Sequence, residues 1–424
     1  YLPPEERLIP NPKQATRLTD VTFLDPSLSK SRPAIILLPP NPAPAEQTAA
    51  VLLQNRIKNV QTKLSPETDT QGPDIRIASD NFSLNDLGSA KLVFSIGRNR
   101  LYHTRQTSLL NILRESSNEN RQGYVISSEQ TDSALIIYLV GASPVGSYYA
   151  AATAVQLIDD KDGVYHNTAV TDFPDFLGRS YCFKNWRTEA ELRHDLDAVE
   201  QMSRYKLNKV YAGNNRKGKS WYQPEPLFMQ GIKEAGRRCR LNGVMSLALM
   251  INPYSQFPFE APVESIEPQV RNAWTHGDPQ SLALVKNMFE LGLAAGASTI
   301  MLRADDFVPH KGKNRKIYTL YNEEDQRRFI NLQNAQAHVI NQLKLWLDEQ
   351  YPGTRFEFCP PWYANEFIDR SEGRAEVYFK ELTAQIPPDI SILWTGPTVR
   401  SLSIDMADLN RFASLIQRWP MLWD

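Results

Sequence analysis

Two aspartates stand side by side at positions 305 and 306, directly after the apolar run Thr299-Ile300-Met301-Leu302 and the pair Arg303-Ala304. Carboxylates held that close disfavour joint ionisation, so the pair predicts one carboxyl that keeps its proton near neutral pH. Such a group can protonate the leaving oxygen when a glycosidic bond breaks. The competing reading is that the pair caps the next helix or forms a salt bridge with Arg303. Its place at the end of a strand that reads as buried favours the chemical role.

The elements that must position this pair alternate. From Gly178 onward, strand-like and helix-like stretches follow one another, the pattern of parallel βα units. Strands are expected at 177–183, 209–211, 244–251, 299–302, 356–358, 391–394 and 421–423. Helices are expected over 187–206, 226–241, 278–296 and 323–349. The first of these opens with Thr188 and Glu191 at capping-box spacing, and the third with Asp278-Pro279, a cap followed by proline. A closed (β/α)8 barrel needs eight strands. The expected fold class is therefore α/β, with a TIM barrel over 175–424 that stops before its last strand. In such a barrel the C-terminal strand ends face the active site. That rule selects the 214–219 loop, Asn252 to Tyr254, Asp305 and Asp306, Pro360 to Tyr363, Thr395 and Asp424.

Residues 1–165 read as a smaller α/β domain. Strands are expected at 34–38, 75–77, 91–96, 124–126 and 134–140, with helices over 46–63 and 147–157. The stretch 166–175 reads as a linker. No catalytic constellation stands out in this half.

Composition narrows the function classes. With 42% hydrophobic and 22% charged residues the chain has the profile of a soluble globular protein, and a formal net charge of −1 supplies no field that draws it to nucleic acid. No apolar run approaches the roughly 18 residues of a membrane span. Cys182, Cys239 and Cys359 are too dispersed for a zinc site or a disulfide framework, so no metal or cofactor is expected. The six histidines form no triad-like or metal-like spacing and read as structural or surface residues. The opening Tyr1-Leu2-Pro3-Pro4 lacks a start methionine and suggests a processed or excised chain.

Several pieces taken in order resemble glycoside hydrolase family 84, the β-N-acetylglucosaminidases that include bacterial O-GlcNAcase-like enzymes. They are Ser203 to Asn208, Asp305-Asp306, Asn334 to His338, Cys359-Pro360 with Tyr363, Trp394-Thr395-Gly396-Pro397 and Trp423-Asp424. The first 165 residues are similar to the α/β domain that precedes the barrel in families 84 and 20. The resemblance implies a retaining, substrate-assisted exo-β-N-acetylglucosaminidase acting on N-acetylhexosamine-containing glycans or glycoproteins. Asp305 would orient the 2-acetamido group and Asp306 would act as general acid and base. Tyr363 would bind the acetamido carbonyl, while Trp394, Thr395, Trp423, Cys182 and Asn214 would line the sugar site. Export to the periplasm or outside is a further implication. Departures from the family include Tyr181 to Asn185 after the first strand, the loop at Gly213 to Arg216, and the charge at Arg303. They leave open a catalytically silent or altered-specificity glycan-binding relative.

Overall fold

The computed structural model describes residues 8–22, 34–64, 66, 73–78, 82–88, 90–99, 101, 111, 121–183, 186–213, 221–254, 274–305 and 323–423. The chain divides into two compact units. The first comprises Tyr1–Tyr181, Asp197–Lys209 and Arg238–Met245, and the second Cys182–Leu196, Val210–Arg237 and Ser246–Asp424.

The first unit is built on a seven-stranded mixed sheet. Its strands are β1 (Gln14–Thr22), β2 (Ala34–Leu38), β3 (Asp74–Ile77), β4 (Leu92–Ile96), β5 (Tyr124–Gln130), β6 (Leu135–Gly141) and β7 (Val164–Asp172), in the order β1-β7-β5-β6-β4-β2-β3. Strands β2, β3, β4 and β6 pair in parallel, whereas β5 and β7 pair antiparallel with their neighbours. Helices α1 (Pro44–Leu64) and α2 (Pro144–Gln156) share one core with Ile36, Phe94 and Ile137, while Ile35, Val93 and Ile136 face the other way into a second core. That two-sided burial explains why these strands read as unbroken apolar runs. Helix α2 reaches the sheet through small residues. A Cβ on Gly146 would lie 2.4 Å from the Gly123 carbonyl oxygen, and one on Gly141 would lie 2.1 Å from the Ser147 nitrogen.

The expected linker at 166–175 is largely strand instead. β7 pairs along its length with β1, an element that the sequence reading had not found. It buries Tyr165, Asn167, Thr168, Val170 and Asp172, a largely polar set that slips out of strict alternation between Asn167 and Thr168, so the period-two signal is lost. Asp172 accepts a 2.9 Å hydrogen bond from Lys206 Nζ, which also donates to Tyr124 OH at 2.8 Å. Burial lowers the Lys206 pKa from its ordinary value, and the neighbouring carboxylate only partly offsets that shift.

The second unit contains the last residue of β8 (Ser180–Cys182), α3 (Glu189–Arg204, its first half), β9 (Lys209–Gly213, all but Lys209), α4 (Pro226–Asn242, its greater part), β10 (Ser246–Ile251), α5 (Pro279–Ala294), β11 (Ala297–Arg303), α6 (Glu323–Arg328), α7 (Leu332–Gln350), β12 (Arg355–Cys359), α8 (Asn365–Asp369), α9 (Arg374–Thr383), β13 (Ser391–Trp394), α10 (Met406–Ile416) and β14 (Met421–Leu422). The seven strands lie in sequential order, and β10 to β14 pair in parallel. Caps read from the sequence are present. Thr188 Oγ1 accepts from the Glu191 N–H at 3.2 Å, and Asp278 accepts from the N–H groups of Gln280 and Ser281. One expected helix, over 323–349, is two: Asn331 takes an extended conformation and its side chain caps α7 by accepting from the Asn334 N–H.

The sheet is curled. Flat, it would hold β9 and β14, five strands apart, at roughly 24 Å from each other. Yet the rings of Tyr211 and Trp423 are 5.0 Å apart, and Tyr211 OH lies 3.8 Å from Met421 Sδ. This curvature and strand order give the barrel-type architecture expected for residues 175–424.

Replacing Asp172 with alanine strands a buried ammonium, so Asp172→Ala is expected to cost about 3–5 kcal/mol of folding stability in urea denaturation.

Candidate active site

The end of β11 is delivered by a helix that stops cleanly. Gly296 adopts φ 95°, its N–H bonds the Leu293 carbonyl at 2.9 Å, and the chain turns from α5 into the strand. Ile300, Met301 and Leu302 are fully buried, and β11 is laddered to β10 on one side and β12 on the other. The ladder continues one residue past the strand, where the Ala304 N–H donates to the Cys359 carbonyl at 2.8 Å. Asp305 is thus fixed at the C-terminal edge of the sheet.

Its carboxylate is held from two sides. Arg303 Nε donates to Oδ1 at 2.8 Å, and Arg303 Nη2 donates to Oδ2, a bidentate pair. Asn252, at the end of β10, donates through Nδ2 to Oδ1 at 3.1 Å and to the Asp305 carbonyl at 3.3 Å. The Asn252 amide is itself oriented, because its Oδ1 accepts the Tyr254 N–H at 2.9 Å. Burial alone would lower the Arg303 pKa, but the charge and hydrogen bonds of Asp305 outweigh it and raise the pKa above its ordinary value. The salt bridge weighed in the sequence reading is therefore present. Asp306, which was to complete the pair, lies outside the described residues, as do Asn214, the 214–219 loop and Asp424.

The other expected site residues fall at neighbouring strand ends. Tyr363 follows β12, with its ring edge-on to Phe367 at 5.2 Å. Thr395 follows β13, where its N–H donates to the Tyr363 carbonyl at 2.8 Å and its hydroxyl donates to the same oxygen at 3.2 Å. The Trp423 N–H donates to the Trp394 carbonyl at 2.9 Å. Trp394 itself is fully buried. Its indole stacks on Phe412 of α10 at 5.5 Å and its N–H donates to Asn365, so it packs into the helix layer and supports its neighbours. Cys182 ends β8, where burial pushes its thiol up to about 12 against the opposing pull of Arg303, leaving a neutral thiol at pH 7.

Register places Met250, Met301 and Glu357 side by side on one face. On that face Tyr211 OH donates to Glu357 Oε2 at 2.6 Å. Burial, then the adjacent carboxylate, raises the Tyr211 pKa far above the usual tyrosine value, so the phenol stays protonated and acts as donor. The sequence reading had not included Glu357, although a carboxylate between Phe356 and Phe358 in a strand signals an inward acid.

The histidines require a correction. His276 Nδ1 lies 2.8 Å from Asp325 Oδ2, and its Nε2 lies 2.8 Å from Tyr254 OH, a triad-like chain that spacing alone did not signal. Gln336 Nε2 donates to Tyr254 OH at 3.2 Å, and Tyr378 OH donates to Gln336 Oε1. All five residues are buried, so the chain fastens the segment after β10 to α6, α7 and α9 and offers substrate no reactive atom. Burial would raise the Asp325 pKa, but bonds from His276 and the Gly277 N–H lower it overall. Among the described residues no group of three or more His, Cys, Asp or Glu could hold a metal ion, and no helix is long and apolar enough to cross a membrane.

Residues 240–424, which include Asp305, Tyr363, Thr395 and Trp423, match the family model described as β-N-acetylglucosaminidase. The fold agrees with the solved structure of CpGH84B at a TM-score of 0.62 and 18% identity, covering 98% of this chain and 60% of that one. Residues 240–424 are thus similar to the β-N-acetylglucosaminidases, and the fold is that of the family 84 structures. The solved structure of CpGH84D gives a TM-score of 0.61 at 16% identity, with 97% and 59% covered. Over 100 residues the chain is 32% identical to protein O-GlcNAcase of Rattus norvegicus, which is 24% of this chain and 10% of that protein. The corresponding protein of Mus musculus matches at 31% over 100 residues. The matched stretch thus spans about a tenth of these curated relatives.

Because the folded-state pKa of Asp325 is depressed, its contribution to stability is present above the ordinary value of 3.8 and is lost as pH falls through the lower folded value. Asp325→Asn is expected to cost about 3 kcal/mol at pH 7. Urea denaturation across a pH series should show the gap to wild type narrowing below about pH 4.

Proposed function

We propose that this chain is a retaining exo-β-N-acetylglucosaminidase that removes terminal β-linked N-acetylglucosamine from glycans or glycoproteins by substrate-assisted catalysis. The observation that carries this reading is the position of Asp305, at the C-terminal end of β11 inside the segment matched to β-N-acetylglucosaminidases.

In the proposed reaction the 2-acetamido oxygen attacks the anomeric carbon as the bond to the leaving oxygen breaks, and Asp306 delivers its proton to that oxygen. Asp305 accepts the acetamido N–H and sets negative charge beside the cationic oxazoline. Asp306, now a base, takes a proton from water, whose oxygen opens the oxazoline at the anomeric carbon and restores the β configuration. Tyr363 donates to the acetamido carbonyl. Thr395, Trp423, Cys182 and Asn214 line the sugar site, and Trp394 acts through the strand that presents Thr395.

One observation favours a second reading, a silent glycan-binding relative: Arg303 already compensates the charge of Asp305. Turnover decides between them. The wild-type protein is expected to hydrolyse p-nitrophenyl N-acetyl-β-glucosaminide and to be inhibited by the methyl thiazoline of N-acetylglucosamine. Asp306→Asn should lower kcat by about 10²–10⁴-fold on a sugar leaving group. The loss should be smaller on p-nitrophenolate, which leaves without protonation. Thiazoline binding with no turnover of either substrate would establish the silent reading.

A further inference from the structure

Asp305 is more constrained than a substrate-facing carboxylate needs to be. An ionised carboxylate offers about four lone-pair directions, two on each oxygen. Among the described residues, Arg303 Nε and Asn252 Nδ2 take both directions on Oδ1, and Arg303 Nη2 takes one on Oδ2. Among the described residues nothing fills the remaining direction, on Oδ2. The side chain of Asp305 is only 10% exposed and that of Arg303 23%, so solvent does little to loosen the pair. The guanidinium is anchored in turn, since Arg303 Nη1 lies 3.6 Å from Met250 Sδ. Asn252 is held by the Tyr254 N–H, and Tyr254 by the buried chain through His276 to Asp325.

We propose that Arg303 and Asn252 are positioning residues for Asp305, a clamp that fixes the plane of its carboxylate and leaves one acceptor direction for a single substrate N–H. The proposal deepens the hydrolase reading above and rests on it for its kinetic arm. The clamp exchanges charge for orientation. The guanidinium offsets part of the field that a bare carboxylate would direct at a cationic intermediate, and in return the remaining lone pair is aimed. A planar, bidentate fork supplies that orientation, whereas an ammonium supplies charge alone.

The test compares Arg303→Leu, Arg303→Lys and Asn252→Ala with wild type. For Arg303→Leu, kcat/KM on p-nitrophenyl N-acetyl-β-glucosaminide is expected to fall about tenfold to a hundredfold. Most of the loss should fall on kcat per folded enzyme, with KM within about threefold of wild type. Arg303→Lys, which keeps the charge but not the fork, should recover only part of kcat, and Asn252→Ala should lower kcat in the same sense. A purely structural role would lower the amount of folded enzyme and leave kcat per folded enzyme unchanged. Circular dichroism melts identify any variant that fails to fold, and Arg303→Lys then carries the comparison. A kcat per folded enzyme within twofold of wild type in both Arg303→Leu and Asn252→Ala would overturn the proposal. If the wild-type protein turns over no β-N-acetylglucosaminide, the hydrolase reading fails and the clamp is tested separately. In protein carrying carboxyl-labelled aspartate, with the resonance assigned through Asp305→Asn, the Asp305 carboxyl resonance should move and broaden in Arg303→Leu and in Asn252→Ala as the carboxylate loses its fixed plane. An unchanged resonance in both would then dismiss the clamp.

Discussion

Charge on the inner face of a curled parallel sheet has few places to find compensation. Water reaches it poorly, and an ion left alone there costs several kcal/mol. The helices pack against the opposite face, so partners must come from the sheet's own inward side chains or from the strand ends. Arg303 and Asp305 meet this constraint two residues apart along one chain, and Glu357 meets it by accepting from Tyr211, three strands away. The second pairing depends on the curvature and register of the sheet, whereas the first needs only the two-residue repeat that sends Arg303 and Asp305 to one face.

Layering separates residues that present chemistry from residues that hold it. Trp394 and Thr395 are adjacent in the chain, yet one packs against α10 and the other bonds backbone carbonyls at the sheet's C-terminal edge. Period-two alternation sends them to opposite sides. The buried chain from Asp325 through His276 to Tyr254 works at one further remove, because its polar atoms are spent on one another and it stiffens the segment that carries Asn252. Neither Trp394 nor His276 needs to reach a sugar to matter for the site.

Much of this was legible in the residues. The apolar runs of β2, β4, β6, β10 and β11, the Thr188–Glu191 and Asp278 caps, and the sequential βα rhythm all follow from local physics, and each has its counterpart in the structure. What stayed hidden was non-local or masked by polarity. β7 buries the polar Asn167, Thr168 and Asp172 along with Tyr165 and Val170, which breaks the hydrophobic pattern that announces a strand. The break before α7 depends on one asparagine choosing to cap. His276 and Asp325 are 49 residues apart, and no spacing rule joins them. Asp305 was found because it ends a buried strand, whereas its bond to Asn252 required two strands to be neighbours.

The pairing of β1 with β7 has a consequence for how the chain is made. Gln14 faces Thr171, so a strand near the amino end has no hydrogen-bonding neighbour until about 150 further residues have left the ribosome. The separation adds little to the final free energy, since loop closure grows only logarithmically with length. The waiting time is the greater exposure, for an unpaired edge can recruit the wrong chain. Thr16, Arg17 and Thr19 are exposed and polar on the finished sheet, which leaves Leu18 as the exposed large apolar side chain among residues 16–19.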